Sequence, residues 1–221
     1  MASDYYGLQY STKECARDMK EPTTSSWARL RKLARFLINN PRVVQQYVWQ
    51  GKVSVCLTKV DSDHAGCRRT RKSTSSVLVF LGKHCPRSHC STQQTIALSS
   101  GESEFYAAIK GLTVLLGMVM MLKDFGVVLA AVLETDSTAA LGMLKRRGSG
   151  QVRHLDTQFL WAQQVVQDGK AKLKKIDGES NAADLNTKHV GAEKFWRFME
   201  EMGFVKKSGR SRLAKKTQGD G

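Results

Sequence analysis

The 221-residue sequence predicts an α/β fold, a mixed five-stranded sheet with helices packed against it, on three observations. Runs with period-two or continuous apolar character occur both early and late in the chain. One long stretch keeps the 3/4 spacing of a helix that lies on a sheet. The elements follow one another in the order βββαβααβα over residues 51–191, which interleaves strands and helices in one layered unit.

Each element has its own signal. Trp27 to Asn39 is helical, with Leu30, Leu33, Ala34, Phe36 and Leu37 on one face and Arg29, Arg31, Lys32 and Arg35 around the rest, and Asn39-Asn40-Pro41 stops it. Val53, Val55 and Leu57 alternate with Ser54, Cys56 and Thr58 in a first strand that runs into Asp61-Ser62-Asp63. Val77 to Leu81 is a second strand ending at Gly82. A turn-rich stretch holding Pro86 leads to a third around Thr95 to Leu98, completing an antiparallel meander. Phe105, Ala108, Ile109, Leu112, Leu115, Leu116, Val119 and Leu122 mark the long helix. Ser99 is its expected N-cap, with Glu102 reaching back to the free Ser99 amide in a capping box. Val127 to Leu133 reads as a buried strand ending at Glu134-Thr135-Asp136. Helices over Ser137 to Lys145 and Leu155 to Gln167, a strand over Lys170 to Ile176 and a helical segment over Asn181 to His189 complete the unit.

Composition narrows the function. Lys and Arg exceed Asp and Glu by 35 to 20, and the excess is spread as +4, +7 and +4 over residues 1–50, 51–191 and 192–221. A chain this basic throughout points to polyanionic partners such as nucleic acid. The five cysteines lack framework spacing and no secretory leader is apparent, which predicts a reducing, intracellular compartment, cytoplasmic or nuclear. The longest uncharged apolar stretch, Gly111 to Leu122, falls short of the roughly 20 residues of a membrane span, so a buried helix and no membrane partner are expected. Residues 192–221 read as a C-terminal helix followed, from Lys206, by a basic disordered tail.

Four acids sit at element ends: Asp61, Glu104, Asp136 and Asp184. Taken singly, Asp61 reads as an Asx-turn, Asp136 as an N-cap and Asp184 as a helix-dipole partner. Glu104 differs, because Glu102 already caps the helix and lies about 200° away around it, leaving Glu104 beside the apolar stripe where a carboxylate needs a partner. Were the four to converge, only a cation would let all of them ionise. Oxygen-only ligation favours Mg²⁺ or Mn²⁺, and two such ions about 3.5–4 Å apart are suited to displacement at a phosphodiester.

The segments Asp61-Ser62-Asp63-His64-Ala65-Gly66-Cys67 with Arg71 to Ser75, Ala97 to Phe105, Thr135 to Ala140, Arg153-His154-Leu155-Asp156 and Ala183 to Lys188 resemble, in this order, the ribonuclease H domain of copia-type retrotransposon Pol polyproteins. The likeness spans about 51 to 191, while residues 1–50 resemble the end of the reverse transcriptase segment that precedes it. The resemblance implies a ribonuclease H-like fold in which Asp61, Glu104, Asp136 and Asp184 hold two Mg²⁺, or Mn²⁺ in their place, and cleave the RNA strand of RNA–DNA hybrids. An upstream reverse transcriptase segment is an implied partner. His64 stands where the family usually has Trp, and Asn186 replaces an apolar residue. The alternative is a decayed retroelement fragment that binds nucleic acid without cutting it. An integrase-like transferase would need a third acid about 35 residues after Asp136, where Lys170, Ala171 and Lys172 stand.

Arg68, Arg69, Arg71 and Lys72, just past the first acid, are candidate phosphate contacts. His84-Cys85 and His89-Cys90 lack the spacing of a standard zinc finger and fall on an expected hairpin turn, so zinc is not expected there. Lys170, Lys172 and Lys174 share one face of their strand, as solvated edge charges do. Trp161 and Phe159 read as core groups of their helix.

Overall fold

In a computed structural model, residues 4–148 and 157–209 are described. The motif Arg153-His154-Leu155-Asp156 and most of the expected tail lie outside them. After a 3₁₀ turn at Tyr6–Leu8 come α1 (Gln9–Ala16), α2 (Thr24–Asn39), β1 (Val43–Gln45), β2 (Val55–Ser62), β3 (Thr74–Leu81), β4 (His84–Thr92), α3 (Ser100–Asp124), β5 (Ala130–Thr135), α4 (Thr138–Lys145), α5 (Thr157–Gln167) and β6 (Lys172–Lys175). The 3₁₀ turns Gly178–Ser180 and Ala182–Asn186 follow, then α6 (Ala192–Glu201) and β7 (Phe204–Lys206).

The main sheet has five strands in the order β4-β3-β2-β5-β6. β2, β3 and β4 pair antiparallel, and β5 and β6 join parallel to β2. This is the mixed five-stranded α/β sheet that the sequence predicts. A separate two-stranded sheet joins β1 to β7, pairing Val43 with Lys206. Lys206, the first residue of the expected disordered tail, therefore stands in a strand, and its ammonium lies 3.8 Å from the centre of the Trp196 ring.

The sheet is covered on both sides, which explains the continuous apolar run in β3. Val77 and Val79 pack with Val60, Leu133, Phe105, Leu112, Leu115, Phe159 and Leu144 under α3, α4 and α5. Leu78 and Phe80 face the other way, into Tyr6, Cys85, Leu185, Phe198, Met199, Met202 and Phe204. In β2 the fully enclosed residues are Cys56, Thr58 and Val60, whereas Val55, on the apolar phase of the sequence pattern, is 36% exposed. The phase read from sequence is thus the shallower one, since Leu57 lies only against the second cluster.

Several elements differ from the sequence expectation. The third strand of the meander is β4, within the stretch read as a turn, and residues 93–99 form no strand. The turn itself is tight: Gly82 adopts φ +60°, a conformation glycine takes without penalty. The register shift between Val79 and Leu81 accommodates Pro86, which lacks an N–H for the ladder, in an edge strand. Pattern reading missed this strand because its side chains are mostly polar and its pairing is carried by the backbone. The edge is covered by the N-terminal segment. Tyr6 Oη donates to the Pro86 carbonyl at 2.9 Å, Gln9 Nε2 to the Ser88 carbonyl at 3.3 Å and Arg17 Nη2 to Thr92 Oγ1 at 2.8 Å.

Ser99 caps α3, accepting from the Glu102 amide at 3.2 Å. The Glu102 carboxylate reaches one residue further than expected, taking the Leu98 N–H at 2.9 Å. By length and composition α3 is apolar enough to cross a bilayer. Its first half packs on the sheet, so closely that a Cβ at Gly111 would come 2.4 Å from Val60 Cγ1. Its last turns do not follow the buried-helix expectation: Met120 is 67% exposed, and Phe125 just beyond is also open. The helical segment expected over Asn181 to His189 is only the short 3₁₀ turn Ala182–Asn186.

Candidate active site

Asp61 ends the buried stretch of β2, Asp136 follows β5, Glu104 sits in the first turns of α3, and Asp184 is carried by the 3₁₀ turn beyond β6. β2 and β5 are adjacent and parallel, so their carboxyl ends open on the same edge of the sheet. There Asp61, Asp136 and Asp184 each present an oxygen within 4.8 Å of the others. Glu104 is not part of that triad. Its Oε1 accepts the Ser62 N–H at 3.4 Å, next to Asp61 in the chain, and the charges of Asp61 and Asp136 act on it directly. The four carboxylates from four separate elements thus share one locality.

The single-residue readings of Asp136 and Asp61 do not hold, while Asp184 does lie in the first turn of its short 3₁₀ helix and makes further contacts. Ser137, not Asp136, caps α4, accepting from the Ala140 amide at 3.1 Å. Asp61 accepts a hydrogen bond from Thr187 Oγ1 instead of closing a local turn. Asp184 is paired with two lysines, Lys188 Nζ at 2.7 Å and Lys194 Nζ at 3.1 Å.

Burial dominates the electrostatics, and crowding adds to it. Burial, then Asp184 nearby, pushes the Asp61 carboxyl up to about 7, with the Thr187 hydroxyl working the other way. Burial and the charges of Asp61 and Asp136 push Glu104 up to about 8. Asp136 is raised chiefly by burial and also by Asp184. Partial burial opposes the charge on Lys188, yet its contact with Asp184 and the fields of Asp61, Asp184 and Asp136 raise its pKa. Like charges this close disfavour one another's ionisation unless an opposite charge compensates them.

Three supporting groups carried no sequence signal of their role. Asn181 is fully enclosed, donating to the Val60 carbonyl at 2.9 Å and accepting from the Ala183 amide at 3.2 Å, which ties the Asp184 turn to β2. Thr187 orients Asp61, and Lys188 balances the cluster. Thr187 and Lys188 belong to a motif that resembles the family, but nothing in their spacing shows that they turn inward. Asn186, the departure from an apolar residue, donates to Ser88 Oγ at 2.9 Å, so it fastens the turn to β4.

Of the basic candidates, Arg68, Arg69 and Arg71 are exposed on the loop between β2 and β3, with Lys72 half-buried. Arg68 and Arg69 line a groove that also takes in Lys188, whereas Arg71 and Lys72 do not line it. Arg71 takes a left-handed φ of +57°. His84, Cys85, His89 and Cys90 lie along β4 rather than on a turn, and among the described residues they form no metal-holding group.

No protein-family model matches the chain. Among curated proteins it is similar to the retrovirus-related Pol polyprotein from transposon TNT 1-94 of Nicotiana tabacum, 25% identical over 190 residues that cover 85% of this chain and 14% of that polyprotein. It is also similar to the one from transposon RE2 of Arabidopsis thaliana, 22% identical over 202 residues, 90% of this chain and 14% of the polyprotein. The chain thus spans about one seventh of these relatives' length. Among solved structures, an RNase H1 isolated from compost aligns with 58% of this chain and 89% of its own at 14% identity and a TM-score of 0.42. The N-terminal RNase H domain of a Mycobacterium tuberculosis protein aligns with 66% and 97% at 12% identity and a TM-score of 0.38. Over most of its length, the chain is thus similar in sequence to retrovirus-related Pol polyproteins from plant transposons.

Proposed function

We propose that this chain is a metal-dependent endonuclease that hydrolyses the RNA strand of RNA–DNA hybrids, with Asp61, Glu104, Asp136 and Asp184 as its catalytic and metal-holding residues. The observation that carries the reading is the meeting of Asp61, Asp136 and Asp184 within 4.8 Å, under the field of Glu104, at the carboxyl edge of a mixed sheet in a basic chain.

The residues fit a pair of hard divalent cations. All donors are carboxylate oxygens, which suits Mg²⁺ or Mn²⁺ over softer metals. Glu104 Oε2 is buried and has no hydrogen-bond partner among the described residues, as a ligand awaiting a cation would be. Bound there, the ions supply Lewis acidity for the attacking water and charge neutralisation at the leaving 3′ oxygen. The chain's own groups do the rest. Thr187 fixes the Asp61 carboxylate, Asn181 fixes the Asp184 turn against β2, and the Ser62 amide holds one oxygen of Glu104. Lys188 and Lys194 neutralise Asp184 before cations enter. Arg68, Arg69, Arg71 and Lys72 are assigned to backbone phosphates, which position the substrate without reading its sequence.

The test is hydrolysis of an end-labelled RNA–DNA hybrid with and without Mg²⁺. Cleavage that needs Mg²⁺ and falls by more than about 100-fold in Asp136→Asn, beyond the roughly 10–100-fold cost of losing a supporting partner, supports the reading. Absence of cleavage leaves a basic scaffold that only binds, and cleavage unaffected by the substitution removes these carboxylates as its source.

A further inference from the structure

The groove that takes in Arg68 and Arg69 has a volume of about 940 Å³, and its other wall is the N-terminal segment. Arg17 from the end of α1, and Arg29 and Lys32 from α2, line it opposite the β2–β3 loop. Lys188 lines it too, with its ammonium 2.7 Å from Asp184 Oδ1, so this one side chain borders both the groove and the carboxylate centre, although none of the four acids lines the groove.

Its charge is lopsided. The acids in the lining, Glu14 and Asp18, are already matched: Glu14 by Lys13 at 2.7 Å and Arg17 at 3.4 Å, and Asp18 by Arg29. Among the described residues Lys32 and Arg68 enter no ion pair, and both are exposed. The two walls are joined where Arg69 Nη2 donates to the Arg17 carbonyl at 3.3 Å. The wall is also anchored: Lys13 Nζ bonds Thr74 Oγ1 at 2.7 Å, next to the loop.

We propose that residues 4–39 form one wall of the substrate site, and that the backbone of a nucleic-acid strand continuing past the cleaved bond lies in this groove between Lys32 and Arg68. The inference rests on the hybrid-cleavage reading for the identity of the strand. A strand presents a charge about every 3.4 Å along its axis, so an open channel with cations on both walls meets successive phosphates. The segment that resembles the end of a polymerase thereby takes part in substrate binding at the carboxylate centre.

The experiment measures equilibrium binding of a fluorescent RNA–DNA hybrid by anisotropy. It uses the full chain with Ca²⁺ in place of Mg²⁺, so that binding is read apart from cleavage. The variants are Lys32→Glu, Arg68→Glu and their combination. Lys123→Glu is the control of equal charge change, about 28 Å along α3 from Glu104 at 1.5 Å per residue. The double variant is expected to lose at least tenfold in affinity and to lower the salt dependence by about two phosphate contacts' worth, with Lys123→Glu changing affinity less than twofold. Equal losses in the double variant and the control, or no loss in either, overturn the proposal. Groove-dependent binding by a chain that never cleaves would keep the groove and reject the nuclease. Cleavage with an unchanged KM in the double variant would do the reverse.

Discussion

Between about pH 5 and pH 7, the raised carboxyls of Asp61 and Glu104 favour keeping protons that the unfolded chain would have released. Their carboxyls stand at about 7 and about 8 in the fold, against 3.8 and 4.5 for the unperturbed groups. A raised carboxyl favours the folded state fully below its unfolded pKa, and that contribution is lost as pH rises through the folded value. In EDTA the melting temperature is therefore expected to fall between about pH 5 and pH 8.5, to fall less in Glu104→Gln, and to recover most on adding Mg²⁺ at the alkaline end. A metal-free melting temperature that is flat or rising over that window contradicts the burial and crowding of these carboxyls. Thr187 gives a second residue-scale prediction. Because its hydroxyl holds Asp61, Thr187→Val should weaken Mn²⁺ binding about 10–100-fold while leaving the far-ultraviolet circular dichroism unchanged, whereas a loss of both would make Thr187 a core residue. At this scale the acids were legible in the sequence because each ends an element, and Glu104 could be told from Glu102 by helix face. Asn181, Thr187 and Lys188 were not, because their roles depend on where a 3₁₀ turn lands against β2.

Among the elements, α3 divides at its middle. Phe105, Ala108, Leu112 and Leu115 are wholly enclosed, whereas Met120 and Met121 are 67% and 47% exposed. Leu112→Ala should cost about 2–5 kcal/mol in guanidinium unfolding, and Met120→Ala should stay within about 0.5 kcal/mol. Comparable costs at the two positions would mean that the end of the helix is covered in solution. The 3/4 spacing announced the helix but not this division, since periodicity shows a face and not what meets it. β4 is the converse case. Its sequence, with two His and a Pro, carries no strand pattern, and it is held in the sheet by its apolar partner β3, by the cover of the N-terminal segment and by Asn186. An edge strand is defined by its neighbour, which no local window contains.

At the scale of the whole molecule, the N-terminal segment is built into the sheet unit. Tyr6 sits in the second core cluster, α1 seals the β4 edge and β1 pairs with β7. A chain lacking residues 1–40 should expose both that edge and the cluster, and be more aggregation-prone by light scattering at equal concentration. A fully monomeric, equally stable truncation would show that the cover is dispensable. The fold class was legible because the element order is local information. The union of the first 50 residues with the rest was not, because it is made of single long-range contacts such as Tyr6 to Pro86 and Ser88 to Gln9.

The claim on which the rest depends is that acids far apart in the chain form one cage for divalent cations. Calorimetric titration of the full chain with Mn²⁺ addresses it without reference to turnover. Saturable binding that is lost or weakened by more than about tenfold in both Asp61→Asn and Asp136→Asn is the predicted result. Binding that is absent from the unaltered chain, or that survives both substitutions unchanged, would contradict it.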